Sequence, residues 1–222
     1  SFQLDGMFKF RADVGVLMNI TPDHLDRYDY KLENYARSKM RITQNQTSTD
    51  AFIYSADDPV TQQMLDQMDD DLRARQLPFA ITTAIASGDG DAVLEGHIFT
   101  ASVGNKQVTI DTRKMQIQGM HNIYNAMAAA LATLAAGVDA KVIKRSIYEF
   151  SPVEHRLEPA GSKDDIEWIN DSKATNVDSV WYALESMQRP TVWIAGGTDK
   201  GNDYTPLKEF ARRKVRALIC MG

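Results

Sequence analysis

The sequence predicts an α/β fold: a mostly parallel sheet with helices, interrupted by an antiparallel patch and followed by a second, smaller α/β unit. Three observations predict it. Apolar runs of strand length alternate with stretches of helical periodicity, the pattern of strand–helix–strand units. Between Ala92 and Gln118 that alternation gives way to short strands split by Gly96 and by Gly104-Asn105, which read as an antiparallel patch. At Ser151-Pro152-Val153 the helical pattern breaks, which places a domain boundary there and gives domains 1–152 and 153–222.

The elements follow in order. Ala12 to Met18 is an apolar run of strand length, rich in Val and Leu, and it ends in the polar turn Asn19 to Tyr28. Lys31 to Asn45 reads as a helix, with apolar or aromatic residues at Leu32, Tyr35, Ala36, Met40 and Ile42. Ala51 to Ser55 is a short strand, and Asp57-Asp58-Pro59 opens a helix to about Met68. Gly119 to Asn122 precedes an Ala-rich helix, Ile123 to Ala136, closed by Gly137. Val142 to Phe150 is a further helix. Beyond the boundary, Leu157 to Ala160 and Ile166 to Asn170 are two strands joined by Gly161 to Asp165. A helix from Val177 to about Met187, a buried strand Thr191 to Ala195, a helix Leu207 to Arg213 and a strand Ala217 to Met221 continue this as a parallel α/β unit that reads as unfinished.

Composition narrows the function classes. The chain has 222 residues, 43% hydrophobic and 25% charged, which describes a globular protein with a sizeable core. A formal net charge of -5 argues against general nucleic-acid binding. No apolar run approaches the ~20 residues of a membrane span. Cys220 is the only cysteine, so no internal disulfide is available, which fits a reducing cytoplasm.

The richest chemistry sits in Ile169-Asn170-Asp171-Ser172-Lys173-Ala174-Thr175-Asn176, a polar loop between a strand and a helix. Ligands of open α/β sheets bind at the carboxyl ends of strands, where such loops lie. One carboxylate, one ammonium and two hydroxyls suit an anionic substrate or a proton transfer. Asn, Asp, Ser and Thr are also ordinary turn and cap residues, but Lys173 at a helix start is not needed for capping. His24, in a turn with Asp23 and Asp26, suits a metal ligand or proton carrier, or caps the following structure. Lys39 reads by periodicity alone as a solvated helix face. Asn122 and Asn125, three apart near a helix start, suit an anion, or Asn122 caps that helix; Arg156 suits a phosphate or a surface ion pair with Glu154 or Glu158. Gly196-Gly197 before Lys200 let backbone approach an anion.

Taken in order, these stretches resemble the Mur ligase family. The matching residues are Ser1 to Leu4, Asn19 to Tyr28, Tyr35 to Arg41, His121 to Ala126, His155 to Glu158, Asn170 to Asn176 and Gly196 to Gly201. The Asn-Asp-Ser-Lys-Ala-Thr-Asn run is the discriminating one and resembles the D-glutamate-adding branch. The resemblance implies a partial central ATPase domain over 1–152 and the first part of a Rossmann-like C-terminal domain over 153–222. The family's N-terminal domain and its Gly-Lys-Thr phosphate loop have no counterpart, so the chain is expected to be an internal fragment, inactive by itself.

The resemblance also implies chemistry. The reaction joins D-glutamate to UDP-N-acetylmuramoyl-L-alanine through an acyl phosphate, with ATP and magnesium as cofactors, in peptidoglycan precursor synthesis. His24 and Lys39 would serve magnesium, Lys39 as a carbamylated lysine. Asn125 would contact adenine and Arg156 an ATP phosphate, with His155 beside the reacting groups; Asp171 and Lys173 would complete the ATP side, Lys173 with a catalytic role as well. Thr175 and Lys200 would hold D-glutamate, and Gln3 the nucleotide substrate. A monomeric cytoplasmic enzyme is implied. The alternatives are another Mur or folylpolyglutamate-type ligase, against which the Asn170–Asn176 run speaks, and a noncatalytic nucleotide-binding module.

Overall fold

The computed structural model describes residues 2–68, 72–82, 90–151, 154–197 and 202–221. They form two compact units that divide between Phe150 and Ser151. Pro152, Val153 and the Thr198–Gly201 stretch lie outside the described residues.

The first unit is built on one six-stranded sheet in sequence order, β1 to β6. A short helix α1 (Phe2–Asp5) precedes β1 (Val14–Leu17); α2 (Leu32–Met40), β2 (Ala51–Ser55), α3 (Pro59–Asp66) and β3 (Arg75–Ala80) follow. Then come β4 (Gly90–Glu95), β5 (Ile98–Val103), β6 (Lys106–Asp111), α4 (Met120–Ala135) and α5 (Ala140–Glu149). Strands β1 to β4 pair parallel, and β4–β5–β6 pair antiparallel. The expected mostly parallel sheet with an antiparallel patch is therefore present.

Strand β2 explains why this sheet has two covered faces. All five of its residues are buried. Ala51 and Ile53 face a core shared with α4, while Phe52 and Tyr54 face one shared with α2 and α3. A strand buried on both faces reads as a continuous apolar run rather than an alternation. Full burial of each large side chain contributes about 1.5–3 kcal/mol. Helix α4 lies against the sheet through Ala126, Met127, Ala130, Leu131 and Leu134; its alanines let the backbone approach closely. It ends at Gly137 (φ 88), where Gly137 N–H donates to Leu134 O and Val138 N–H to Thr133 O. That is the glycine-terminated double hydrogen bond of a Schellman end.

Strand β3 has no clear sequence signal, since Arg75, Gln76 and Pro78 interrupt its apolar residues. Pro78 is tolerated in the sheet because β4 pairs with β3 only at Phe79 and Ala80, so the missing N–H breaks no rung there. At Gly90 a Cβ would lie 2.2 Å from the Ser102 carbonyl, so only glycine lets β4 and β5 meet. Two-residue turns with Gly96 (φ 60) and Gly104 (φ 57) at the first central position make the hairpins.

The second unit holds a hairpin of β7 (Glu158–Lys163) and β8 (Ile166–Asn170), then α6 (Val177–Ser186), β9 (Thr191–Gly196), α7 (Lys208–Lys214) and β10 (Val215–Met221). Asp164 (φ 51) and Asp165 (φ 62) both turn left-handed, so β7 runs on to Lys163 and the hairpin closes in two residues. Two expectations are corrected here. Among the described residues β8 pairs only antiparallel with β7, and the parallel pairing is confined to β9 and β10. Strand β9 is not buried: Val192 is 55% and Ile194 48% exposed, because β10 is its sole neighbour among these residues.

Candidate functional site

In the first unit, chemistry-bearing residues collect where β1, β2 and β3 end. Asp57 and Asp58, which follow β2, tie three elements together. Asp58 caps α3, accepting from Thr61 N–H at 2.9 Å and from the Thr61 hydroxyl, and its Oδ2 also accepts from Ile20 N–H at 3.2 Å. Asp57 accepts from Ile81 N–H at 2.6 Å, from Thr82 N–H and the Thr82 hydroxyl, and from Tyr124 OH at 2.7 Å. A short acidic pair thus joins the ends of β1 and β3 and the first turns of α4. Asp57 and Tyr124 were missed from sequence because Asp57-Asp58-Pro59 carries only the signal of a helix start.

His24 sits at the head of a 3-10 turn in the left-handed region (φ 53), with Asp23 Oδ2 3.6 Å from its Nε2. The Phe2 ring meets it edge-on at 5.4 Å and stacks on Tyr28 at 6.4 Å. Asp5 anchors this arrangement, accepting from Tyr28 OH at 2.8 Å and Ser38 Oγ at 2.5 Å. Burial pushes the Asp5 carboxyl up, but the hydrogen bonds from Ser38 and Tyr28, together with nearby positive charge that includes Arg41, hold the group below its usual range. Gln3, one residue along α1, is exposed.

Lys39 is only partly exposed, and its ammonium lies 4.9 Å from the Tyr35 ring centroid. The solvated-face reading of Lys39 therefore fails. Burial lowers its pKa, against Asp23, Tyr28 and Asp58, which favour the charged form. Arg37 and Arg41 are engaged elsewhere. Arg37 pairs with Glu33 at 2.5 Å, and Arg41 donates to the Leu4 and Met7 carbonyls at 2.7 and 2.8 Å.

Asn125 is exposed on α4, its Nδ2 3.5 Å from Asn122 Oδ1. Asn122 does not cap α4. The helix begins at Met120 behind Gly119 (φ 99), so Asn122 lies in its first turn, donating to Gln118 O at 2.8 Å. An open cleft of about 350 Å³ beside this helix start is lined by Leu94, His97, Arg113, Gln118, Met120 and Ile123 among others, but not by Asn125, His24 or Lys39.

In the second unit, the loop before β7 and the loop after β8 are laced together. Lys173 N–H donates to His155 O at 3.1 Å, and Leu157 N–H donates to Asp171 Oδ1 at 3.0 Å. His155 N–H donates to Glu158 Oε2 at 2.7 Å. These bonds hold His155 (φ 64) and Leu157 (φ 45) in left-handed backbone. Non-glycine residues persist there only where surroundings over-determine them, which happens often at functional sites. Arg156, Lys173 and Thr175 are exposed. Among the described residues no ion pair joins Arg156 to Glu154 or Glu158, since Glu158 is engaged by His155 and Asn170. Asn176 caps α6 through Ser179 N–H at 2.8 Å. Lys200 lies outside the described residues.

The profile of the Mur ligase middle domain matches residues 2–133. The chain belongs to the Mur ligase family. A Bacteroides fragilis protein named UDP-N-acetylmuramoylalanine--D-glutamate ligase is 47% identical over 224 residues, covering 100% of this chain and 49% of that relative. A Christiangramia forsetii protein of the same name is 47% identical, again over 100% of this chain and 49% of the relative. The chain thus spans about half the length of the curated relatives it matches. The crystal structure of MurF from Acinetobacter baumannii shares the fold, with a TM-score of 0.66 at 18% identity over 95% of this chain and 47% of that one.

Placed on this Mur ligase frame, the residues singled out from the sequence fall into two groups. His24 and Lys39 accompany the stitched strand ends of the first unit, where Tyr124 on α4 is also tied. His155, Asp171 and the Lys173 backbone form one hydrogen-bonded cluster in the second. As a cation site the first group is incomplete. Among the described residues no three His, Cys, Asp or Glu side chains gather to hold a metal. An ammonium at Lys39 ligates nothing, and magnesium prefers oxygen ligands. No helix of the described residues is long and apolar enough to cross a membrane.

Proposed function

We propose that this chain is an internal part of an ATP-dependent ligase that joins D-glutamate to UDP-N-acetylmuramoyl-L-alanine. The carrying observation is the 47% identity, over the whole chain, to proteins named for that reaction. The first unit is then the later part of a central ATP-binding domain, and the second the opening part of a Rossmann-like C-terminal domain. The whole enzyme is a cytoplasmic monomer in this reading.

The chemistry is as follows. A carboxylate oxygen of the UDP-linked substrate attacks the γ-phosphorus of ATP, and the bond to ADP breaks. The neutral amine of D-glutamate attacks the acyl carbon, the carbon–oxygen bond breaks, and phosphate leaves with the amide formed. Phosphoryl transfer of this kind depends on positioning and charge neutralisation more than on covalent protein chemistry. Exposed Arg156 grips phosphate oxygens with its planar fork. Asp171 keeps the His155 loop against the Lys173 loop. Lys173 supplies positive charge to the reacting groups, Thr175 and Lys200 hold the D-glutamate carboxylates, Asn125 contacts adenine and Gln3 the nucleotide substrate. At Lys39, a carbamate formed from carbon dioxide would add the oxygen ligands that the side chains lack as they stand, and His24 would be a further magnesium ligand.

The reading is tested with the full-length protein, ATP, magnesium and UDP-N-acetylmuramoyl-L-alanine. ADP release is expected to require D-glutamate, with L-glutamate, L-alanine and diaminopimelate inactive. Release with diaminopimelate or a dipeptide in place of D-glutamate would assign the chain to another branch of the family. Release with no amino acid dependence would remove the ligase reading.

A further inference from the structure

We propose that Asn170 is a positioning residue that holds His155 as the Nε2–H tautomer, so that His155 serves as a hydrogen-bond donor to an anionic phosphoryl oxygen and not as a base. The donor role rests on the ligase reading; the tautomer does not.

The orientation of the Asn170 amide follows from its partners. Ser172 N–H lies 3.2 Å from Asn170 Oδ1, and a backbone N–H can only donate, so the oxygen end faces Ser172. The NH₂ end then faces Glu158 Oε2 at 3.3 Å and His155 Nδ1 at 2.7 Å. A carboxylate only accepts, so the two assignments agree. A nitrogen that receives an N–H at 2.7 Å presents its lone pair. The neutral ring therefore carries its proton on Nε2.

The competing arrangement would place a proton on Nδ1, aimed at Glu158 Oε2, 3.5 Å away. That oxygen already accepts from His155 N–H at 2.7 Å and from Asn170. An Nδ1 proton would also meet the Asn170 amide hydrogens head-on. Asn170 thus decides between the two forms. Its own position is fixed as the last residue of β8, paired with Glu158 across the hairpin. Left-handed backbone at His155, with His155 O accepting from Lys173 N–H, fixes the ring's base against the same loop. An imidazole with Nε2–H beside Arg156 offers a donor where negative charge develops on a transferring phosphoryl group.

The tautomer is read by long-range nitrogen–proton correlation on the full-length protein with nitrogen-15 histidine, at a pH where the nitrogen shifts show the ring to be neutral. His155→Gln assigns the signal. The expected wild-type spectrum shows Nδ1 as the unprotonated nitrogen; a proton on Nδ1 overturns the proposal. Asn170→Asp replaces the donor by an acceptor while keeping an oxygen for Ser172 N–H, and is expected to bring a proton to Nδ1. With it, kcat should fall by at least about tenfold, with a smaller change in KM for ATP. If Nδ1 becomes protonated and kcat stays within about twofold, Nε2–H donation plays no part and the proposal falls. The spectra need no nucleotide, so failure of the ligase reading would leave the tautomer measurement intact and separately decided.

Discussion

Lys39→Ala is expected to lower the ligation turnover of the full-length protein by about 10²–10³-fold, the usual cost of removing a group that stabilises transition-state charge. The argument begins with burial. Lys39 sits on α2 beside the Tyr35 ring, and desolvation lowers its pKa. Carbon dioxide reacts only with the neutral amine, and an unperturbed lysine near pH 7 is almost wholly protonated. A depressed pKa enlarges the neutral fraction, and that fraction grows as pH rises. Activity after carbon dioxide depletion should therefore recover faster on re-addition at pH 8.5 than at pH 7. The same shift bears on stability. Between the lowered folded pKa and the ordinary lysine value the unfolded chain binds more protons, so the Lys39 contribution to stability rises with pH in that window. A short carboxylic acid should partly restore Lys39→Ala by occupying the vacated space. Lys39→Arg should not recover, because it keeps the charge and cannot present a carboxylate. Near-normal turnover of Lys39→Ala, measured as ADP release, would remove the carbamate role.

The second large effect is expected from Asp57→Ala. Asp57 accepts from Ile81 N–H, Thr82 N–H, the Thr82 hydroxyl and Tyr124 OH. Removing the carboxylate takes that acceptor from two backbone donors and two hydroxyls, those of Thr82 and Tyr124. Hydrogen bonds to charged groups contribute about 1.5–3 kcal/mol, and partial solvent access at this edge brings the expected loss to about 2 kcal/mol. For a unit of this size that is a fall of roughly 5 °C in Tm. Amide exchange at Ile81 and Thr82 should quicken more than at Phe79 in the core of β3. Asp57→Asn keeps one acceptor oxygen and should recover part of the loss. Unchanged exchange at Ile81 and Thr82 in the alanine variant would show that Asp57 does not hold these strand ends.

How far the sequence carried this account depended on local signal. Strand β2 was legible to the residue because five consecutive apolar or small residues end at a helix-capping Asp-Asp-Pro. The turn glycines at 96, 104 and 137 were legible because each takes a positive φ that other residues resist. Strand β3 was not legible, because Arg75, Gln76 and Pro78 obscure a strand whose place is set by its neighbours in the sheet. Lys39 was misread by periodicity, since its burial is set by tertiary packing, and the charges that act on it, Asp23, Tyr28 and Asp58, are distant in sequence. The hydrogen bonds among Asp5, Tyr28 and Ser38 were not legible for the same reason: they span separations of 10 to 33 residues. In the second unit the strand–loop–helix around Asn170–Asn176 was legible, while the pairing of β8 with β7 depended on the two left-handed aspartates at the turn.

The ligation chemistry itself is most directly tested by oxygen transfer. The full-length protein is given UDP-N-acetylmuramoyl-L-alanine with oxygen-18 in its free carboxylate, together with ATP, magnesium and D-glutamate. If the carboxylate attacks the γ-phosphorus, the bridging oxygen stays with phosphorus when the amine expels phosphate. One labelled oxygen is then expected in each phosphate released and one in each amide formed. Unlabelled phosphate, or phosphate labelled only from water, would mean that ATP is hydrolysed without carboxylate activation and would contradict the account.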